Sequence, residues 1–136
     1  MITTANQPLF EKDKILLYYG GANFSHGVGE EGNPYDQEKH RFDIGLATLR
    51  MDGFVYASNG SLITKPLESK KSYIRVNADC KTGKLVIDLM RSGKKIKSFE
   101  MTGTDSLEHT FRTSIKGEIV LKVYIQNAKF YSLEVT

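Results

Sequence analysis

The patterning of this chain predicts an all-β protein, an antiparallel two-sheet β-sandwich preceded by an N-terminal β-hairpin. Three observations carry that expectation. Helical periodicity of apolar residues is nearly absent along the 136 residues. Short apolar runs recur instead, with glycine, asparagine or serine between them. Residues 73 to 80 alternate cleanly, with Ile74, Val76, Ala78 and Cys80 on one face and Tyr73, Arg75, Asn77 and Asp79 on the other.

From the N-terminus, Ile15, Leu16, Leu17, Tyr18 and Tyr19 are apolar on both faces of a strand, the pattern of an interior strand. In residues 43 to 50, Gly45 and Ala47 share a face and permit close approach of another sheet or backbone. Between these strands lies a polar, glycine-rich loop over residues 20 to 41, long enough to be functional or disordered. Met1 leads directly into strand-like text. The two strands are therefore expected to belong to a sheet whose other members lie outside these residues. Asp52-Gly53 is a turn signal and marks the boundary between residues 1–52 and residues 53–136.

In the second part, the strand at 73 to 80 puts Cys80 in the core as a small apolar filler. Lys81-Thr-Gly-Lys84 turns the chain into residues 85 to 90, with Leu85, Ile87 and Leu89 in register. Ser92-Gly93 is a tight hairpin into residues 95 to 101. A strand over 107 to 113 carries Leu107 and Phe111 in phase. Lys116-Gly117 turns into 118 to 125, where Ile119, Leu121, Val123 and Ile125 line one face. Asn127 and Ala128 make the last turn, and residues 129 to 135 close the sheet with Tyr131, Leu133 and Val135 inward. Half a dozen strands with one apolar face each need a second sheet to cover them, hence the sandwich.

Composition narrows the function classes. The formal net charge is +3, from 19 basic and 16 acidic residues, and the densest basic group is Lys94, Lys95 and Lys97 with a single aromatic, Phe99, beside it. Nucleic-acid binders concentrate positive charge and interleave aromatics, so no nucleic-acid partner is expected. No run has the apolar length of a membrane helix, and no membrane partner is expected. One cysteine excludes an internal disulfide. The sequons Asn23-Phe-Ser25 and Asn59-Gly-Ser61 carry no weight without a known secretory host, and the compartment stays open.

The blocks Asp13-Lys-Ile-Leu-Leu-Tyr-Tyr-Gly-Gly21 and Ile44-Gly-Leu-Ala-Thr-Leu-Arg-Met-Asp-Gly-Phe-Val55 resemble the last blade of the five-bladed β-propeller glycosidases, the group of glycoside hydrolase families 32 and 43. The text that follows is similar to the β-sandwich after the propeller in a bacterial subset of such proteins. It comprises Gly60-Ser-Leu-Ile-Thr-Lys-Pro-Leu67, the strand at Gly83, Gly93-Lys94, Gly103-Thr-Asp-Ser106 and Ala128-Lys-Phe-Tyr-Ser-Leu133. The resemblance implies that residues 1–52 are the remnant of a last blade. It also implies that four preceding blades, and the carboxylates they carry, stand upstream of Met1.

Glycoside hydrolysis usually requires two carboxyl groups held rigidly across the scissile bond. Glu30, Glu31, Asp36 and Glu38 all fall in the loop, so no catalytic residue is assigned. By the resemblance this loop lies on the active-site face, which makes His26, Tyr35, His40 and Arg41 candidates for sugar contacts, with ordering of the loop as their competing role. Tyr73 and Tyr124 are out of phase with the apolar faces and are further candidates, with cross-strand packing as the competing account. His26, His40 and His109 lack zinc-type spacing, nothing in the spacing of Asp79, Asp88 and Asp105 demands calcium, and no metal or cofactor is expected. The expected function is a non-catalytic accessory module of a glycosidase-like protein, bracing the propeller and contributing to a carbohydrate-binding cleft. Its partner is the rest of a propeller domain or a second copy. The alternatives are a stand-alone carbohydrate-binding module and a glycoside hydrolase fragment active only with the missing blades.

Overall fold

A computed structural model describes residues 2–4, 7–24 and 41–136, and among them the chain forms strands, turns and bends but no helix. Three sheets result, all antiparallel. The chain divides into two compact units, Met1–Met51 and Asp52–Thr136.

The first unit is a four-stranded sheet. Strand β3 (Lys14–Ala22) is its centre, paired on both sides, but of the run expected to be interior on both faces only Ile15 is buried while Tyr18 and Tyr19 are exposed. Strand β4 (Phe42–Arg50) pairs with β3 along its whole length, while β1 (Ile2–Thr4) and β2 (Leu9–Phe10) share the opposite side. β3 continues through Gly20, Gly21 and Ala22, residues that the sequence places in the loop. The missing side chain of Gly20 leaves room for the Phe42 ring, since a methyl group there would lie 3.0 Å from Phe42 Cε2.

Register sorts this sheet into two unequal faces. Leu9, Leu16, Tyr18, Phe42, Ile44 and Leu46 share one face, and none of them is buried. Ile44 is 79% exposed and Leu46 48%. The other face carries Ile15, the unit's one buried apolar side chain among the described residues, together with half-buried Leu17 and Leu49.

The second unit holds the core. Its three-stranded sheet has the order β10 (Asp105–Arg112), β7 (Tyr73–Asp79), β12 (Lys129–Val135). Its five-stranded sheet runs β5 (Gly60–Ile63), β11 (Gly117–Gln126), β8 (Lys84–Arg91), β9 (Lys94–Thr102), with β6 (Leu67–Ser69) also on β11. One hydrophobic cluster draws on both sheets: Ile74, Val76 and Ala78 from β7, Leu85, Ile87 and Leu89 from β8, and Ile119, Leu121, Val123 and Ile125 from β11. These are the inward positions the alternation predicts. Each of the valines, leucines and isoleucines contributes about 1.5–3 kcal/mol relative to an exposed side chain.

Turn chemistry also follows the sequence. Ser92 and Gly93 adopt φ of 49° and 75°, the left-handed pair a two-residue hairpin requires. Asp52 turns the chain at φ 58°. Cys80 is fully buried just past β7. Its N–H donates to Thr104 O at 2.7 Å, and its carbonyl accepts the Gly103 N–H at 2.9 Å.

β12 departs from the expected phase. Phe130 pairs with Ala78 and Ser132 with Asn77, so Tyr131 is an extra residue in a β-bulge. The bulge moves Phe130 into the core, while Tyr131, expected inward, is only half-buried, its ring 5.8 Å from that of Tyr56. Leu133 and Val135, beyond the bulge, pack against the core as predicted. The other long outer strands are bulged too, β9 at Ile96 and β10 between Ser106 and His109.

Candidate functional site

Of the loop candidates, His26, Tyr35 and His40 lie outside the described residues, as do Glu30, Glu31, Asp36 and Glu38. Arg41 is described. It enters β4 as the residue before Phe42 and is fixed from two directions. Its N–H donates to Asn23 Oδ1 at 2.8 Å, so the Asn23 side chain closes the β3–β4 ladder. Its Nε lies 2.9 Å from Asp43 Oδ2. Both side chains are well exposed, so this ion pair orients the guanidinium more than it stabilises the fold.

Arg41, Asp43 and Asn23 line a groove of about 560 Å³ whose wall includes the ring of Tyr19. Tyr19 folds over Gly45, its register partner: a methyl group at Gly45 would fall 2.6 Å from Tyr19 Oη. The glycine leaves room for the ring, and Tyr19 and Gly45 line this groove together with Arg41, Asp43 and Asn23. An exposed aromatic face next to donors and acceptors of both kinds suits a polyhydroxylated ligand. Nothing in the sequence distinguishes Tyr19 from its run, which is apolar on both faces. The glycine opposite, visible at Gly45, was the available signal.

Tyr73 and Tyr124 are both exposed, at 37% and 43%, as their phase predicts. They do not converge, since Tyr73 stands on the three-stranded sheet and Tyr124 on the five-stranded one. Around Tyr73 the register sets Arg112, and its neighbour Arg75 pairs with Glu134 at 3.2 Å. Tyr124 lies in a row of register partners with Ser61, Val86 and Glu100, on the side of the sheet away from Leu85 and Ile87.

The three aspartates weighed as a calcium site are separated. Asp79 and Asp105 are register partners on β7 and β10 and share Lys81, whose N–H reaches Asp79 Oδ1 at 3.1 Å and whose Nζ reaches Asp105 Oδ2 at 2.9 Å. Asp88 sits on β8 instead, accepting from Ser98 Oγ at 2.6 Å with Lys95 Nζ at 3.4 Å. Among the described residues no three His, Cys, Asp or Glu side chains gather as a metal-binding group.

Cys80 is not a reactive thiol. Burial, reinforced by the negative charges of Asp79 and Asp105, pushes its pKa above the ordinary thiol value. A polar depression of about 460 Å³ lies nearby among the turns Lys81–Lys84, Thr102–Gly103 and Gln126–Asn127. Its groups are largely committed to the turns themselves, with Thr82 Oγ1 donating to Asn127 O and Thr102 Oγ1 to Gly83 O.

Searches of known protein families, of curated proteins and of solved structures find no match to this chain.

Proposed function

We propose that this chain is a non-catalytic, all-β accessory module of a glycosidase-like protein, bracing a propeller and adding the Tyr19–Arg41 groove to a carbohydrate-binding cleft. In this reading the two sheets of Asp52–Thr136 pack face to face as a sandwich around their shared cluster. The sheet of the first unit is what remains of a blade.

One observation carries the proposal: the face formed by Leu9, Leu16, Tyr18, Phe42, Ile44 and Leu46, none of which is buried among the described residues. Contiguous exposed apolar surface on a sheet marks a docking site. A sheet with a single buried apolar side chain among the described residues gains little from burial, and in this reading it depends on a partner for its order. The groove supports the sugar-facing part, through an aromatic ring set beside polar groups.

The test is co-expression of the full chain with the product encoded immediately upstream of the Met1 codon. A stable complex is expected, lost on Tyr18→Lys, with aryl-glycoside hydrolysis in the complex and none from the chain by itself. Absence of any propeller-type sequence upstream, or hydrolysis by the isolated chain, overturns the proposal. A stand-alone carbohydrate-binding module is the second reading, favoured by the exposed Tyr124 in its row with Ser61, Val86 and Glu100. That reading requires saturable binding on a glycan array, abolished by Tyr124→Ala.

A further inference from the structure

The outer strands of the second unit are all guarded against pairing with another chain. β9, β10 and β12 each carry a bulge, β9 also bears Lys94, Lys95 and Lys97, and β5 and β6 are only 4 and 3 residues long. Bulges, lysines and shortness are the usual devices that stop one sheet from adding to another.

β4 has none of them. It is 9 residues long, contains neither lysine nor proline, and keeps unbroken register with β3 from Phe42 to Arg50. Among the described residues no strand flanks its other side. The ladder fixes which groups face outward. Met51 N–H bonds to Asp13 O and Asn23 N–H to Arg41 O, so the odd-numbered residues of β4 exchange hydrogen bonds with β3. The even-numbered residues, including Ile44, Leu46 and Thr48, therefore direct their amide groups away from β3.

We propose that β4 is a pairing edge that joins two copies of this chain antiparallel across a two-fold axis at Leu46. The strand is complementary to itself in that register. Leu46 meets the partner's Leu46, Ile44 meets the partner's Thr48, and Phe42 meets the partner's Arg50, an aromatic face against a guanidinium. Asp43 and Arg50 stand on opposite faces of the strand, and in this register neither meets a like charge, whereas parallel in-register apposition would set each against its own copy. The full overlap makes about ten ladder hydrogen bonds. An isologous contact of this kind closes at two copies. It concerns the edge of the sheet, leaves both faces available, and does not depend on the accessory role proposed above.

Sedimentation velocity of the full chain over micromolar concentrations tests it, with a dimer expected. Leu46→Pro removes an outward N–H without touching the β3 ladder, and Thr48→Lys supplies the guard found on β9; each should give a monomer with an unchanged far-UV spectrum. Leu9→Lys, on the same face but away from the edge, should leave the dimer intact. Leu46→Cys should yield a covalent dimer on mild oxidation, because Cys80 is fully buried and cannot compete. A monomeric full chain, a dimer that survives Thr48→Lys, a dimer lost on Leu9→Lys, or failure of Leu46→Cys to cross-link overturns the proposal.

Discussion

Gly83 packs directly against the main-chain carbonyl of Asn127, so closely that a side chain at position 83 would overlap the backbone of the β11–β12 turn. The same turn receives the Thr82 hydroxyl, which donates to Asn127 O at 3.2 Å. Two turns distant in sequence are thereby locked together at one end of the second unit. Gly83→Ala should cost about 1–3 kcal/mol, because the obstacle is backbone and cannot swing aside. Urea unfolding checks it, and a loss below a few tenths of a kcal/mol would show that the two turns separate easily.

Asp88 is a nearly buried carboxylate satisfied by Ser98 Oγ at 2.6 Å, with Lys95 Nζ at 3.4 Å. Asp88→Ala should destabilise the unit by about 1–3 kcal/mol, since it leaves a charge-assisted hydrogen bond unmade. Lys95→Ala should cost less than about 1 kcal/mol, because its ammonium is largely in water. A double-mutant cycle should find coupling between Asp88 and Ser98 and almost none between Ser98 and Lys95.

The raised pKa of Cys80 fixes the sign of one pH effect. The folded thiol holds its proton above the pH at which the unfolded thiol loses it. This stabilisation is complete below the ordinary thiol range and is lost as pH climbs through the folded value. Comparing wild type with Cys80→Ala from pH 7 to 10.5 should show the wild type losing stability relative to the variant only at the alkaline end. Native thiol titration with an aromatic disulfide reagent at pH 8 should be slow and should become rapid in denaturant.

Every member of the main hydrophobic cluster belongs to Asp52–Thr136. Residues 52–136 expressed alone should therefore unfold cooperatively, at a midpoint within a few degrees of the main transition of the full chain. Calorimetry decides it. A broad, non-cooperative melt would mean that the cluster depends on residues 1–51.

The strand phases of the second unit were legible because one face is buried. Burial of Ile74, Val76 and Ala78, or of Leu121 and Val123, imposes strict alternation, and the alternation stands in the sequence. The hairpin at Ser92-Gly93 was legible because its left-handed residues are chemically marked. What escaped was set by pairing between distant residues. The bulge at Tyr131 depends on how β12 meets β7, and local composition does not record it. Nor does it record that Tyr73 and Tyr124 stand on different sheets. Tyr19 escaped for a related reason: its place in the groove follows from sitting opposite Gly45, a relation fixed by the β3–β4 register and not by its immediate neighbours.

The irregular rims of Asp52–Thr136 bear on how such a gene segment can travel. A cassette whose margins refuse foreign ladders can be spliced beside many unrelated domains, during recombination or in a laboratory fusion, without gluing its hosts together. The straight margin at Phe42–Arg50 has no such neutrality, and a fusion that inherits it inherits its stickiness as well.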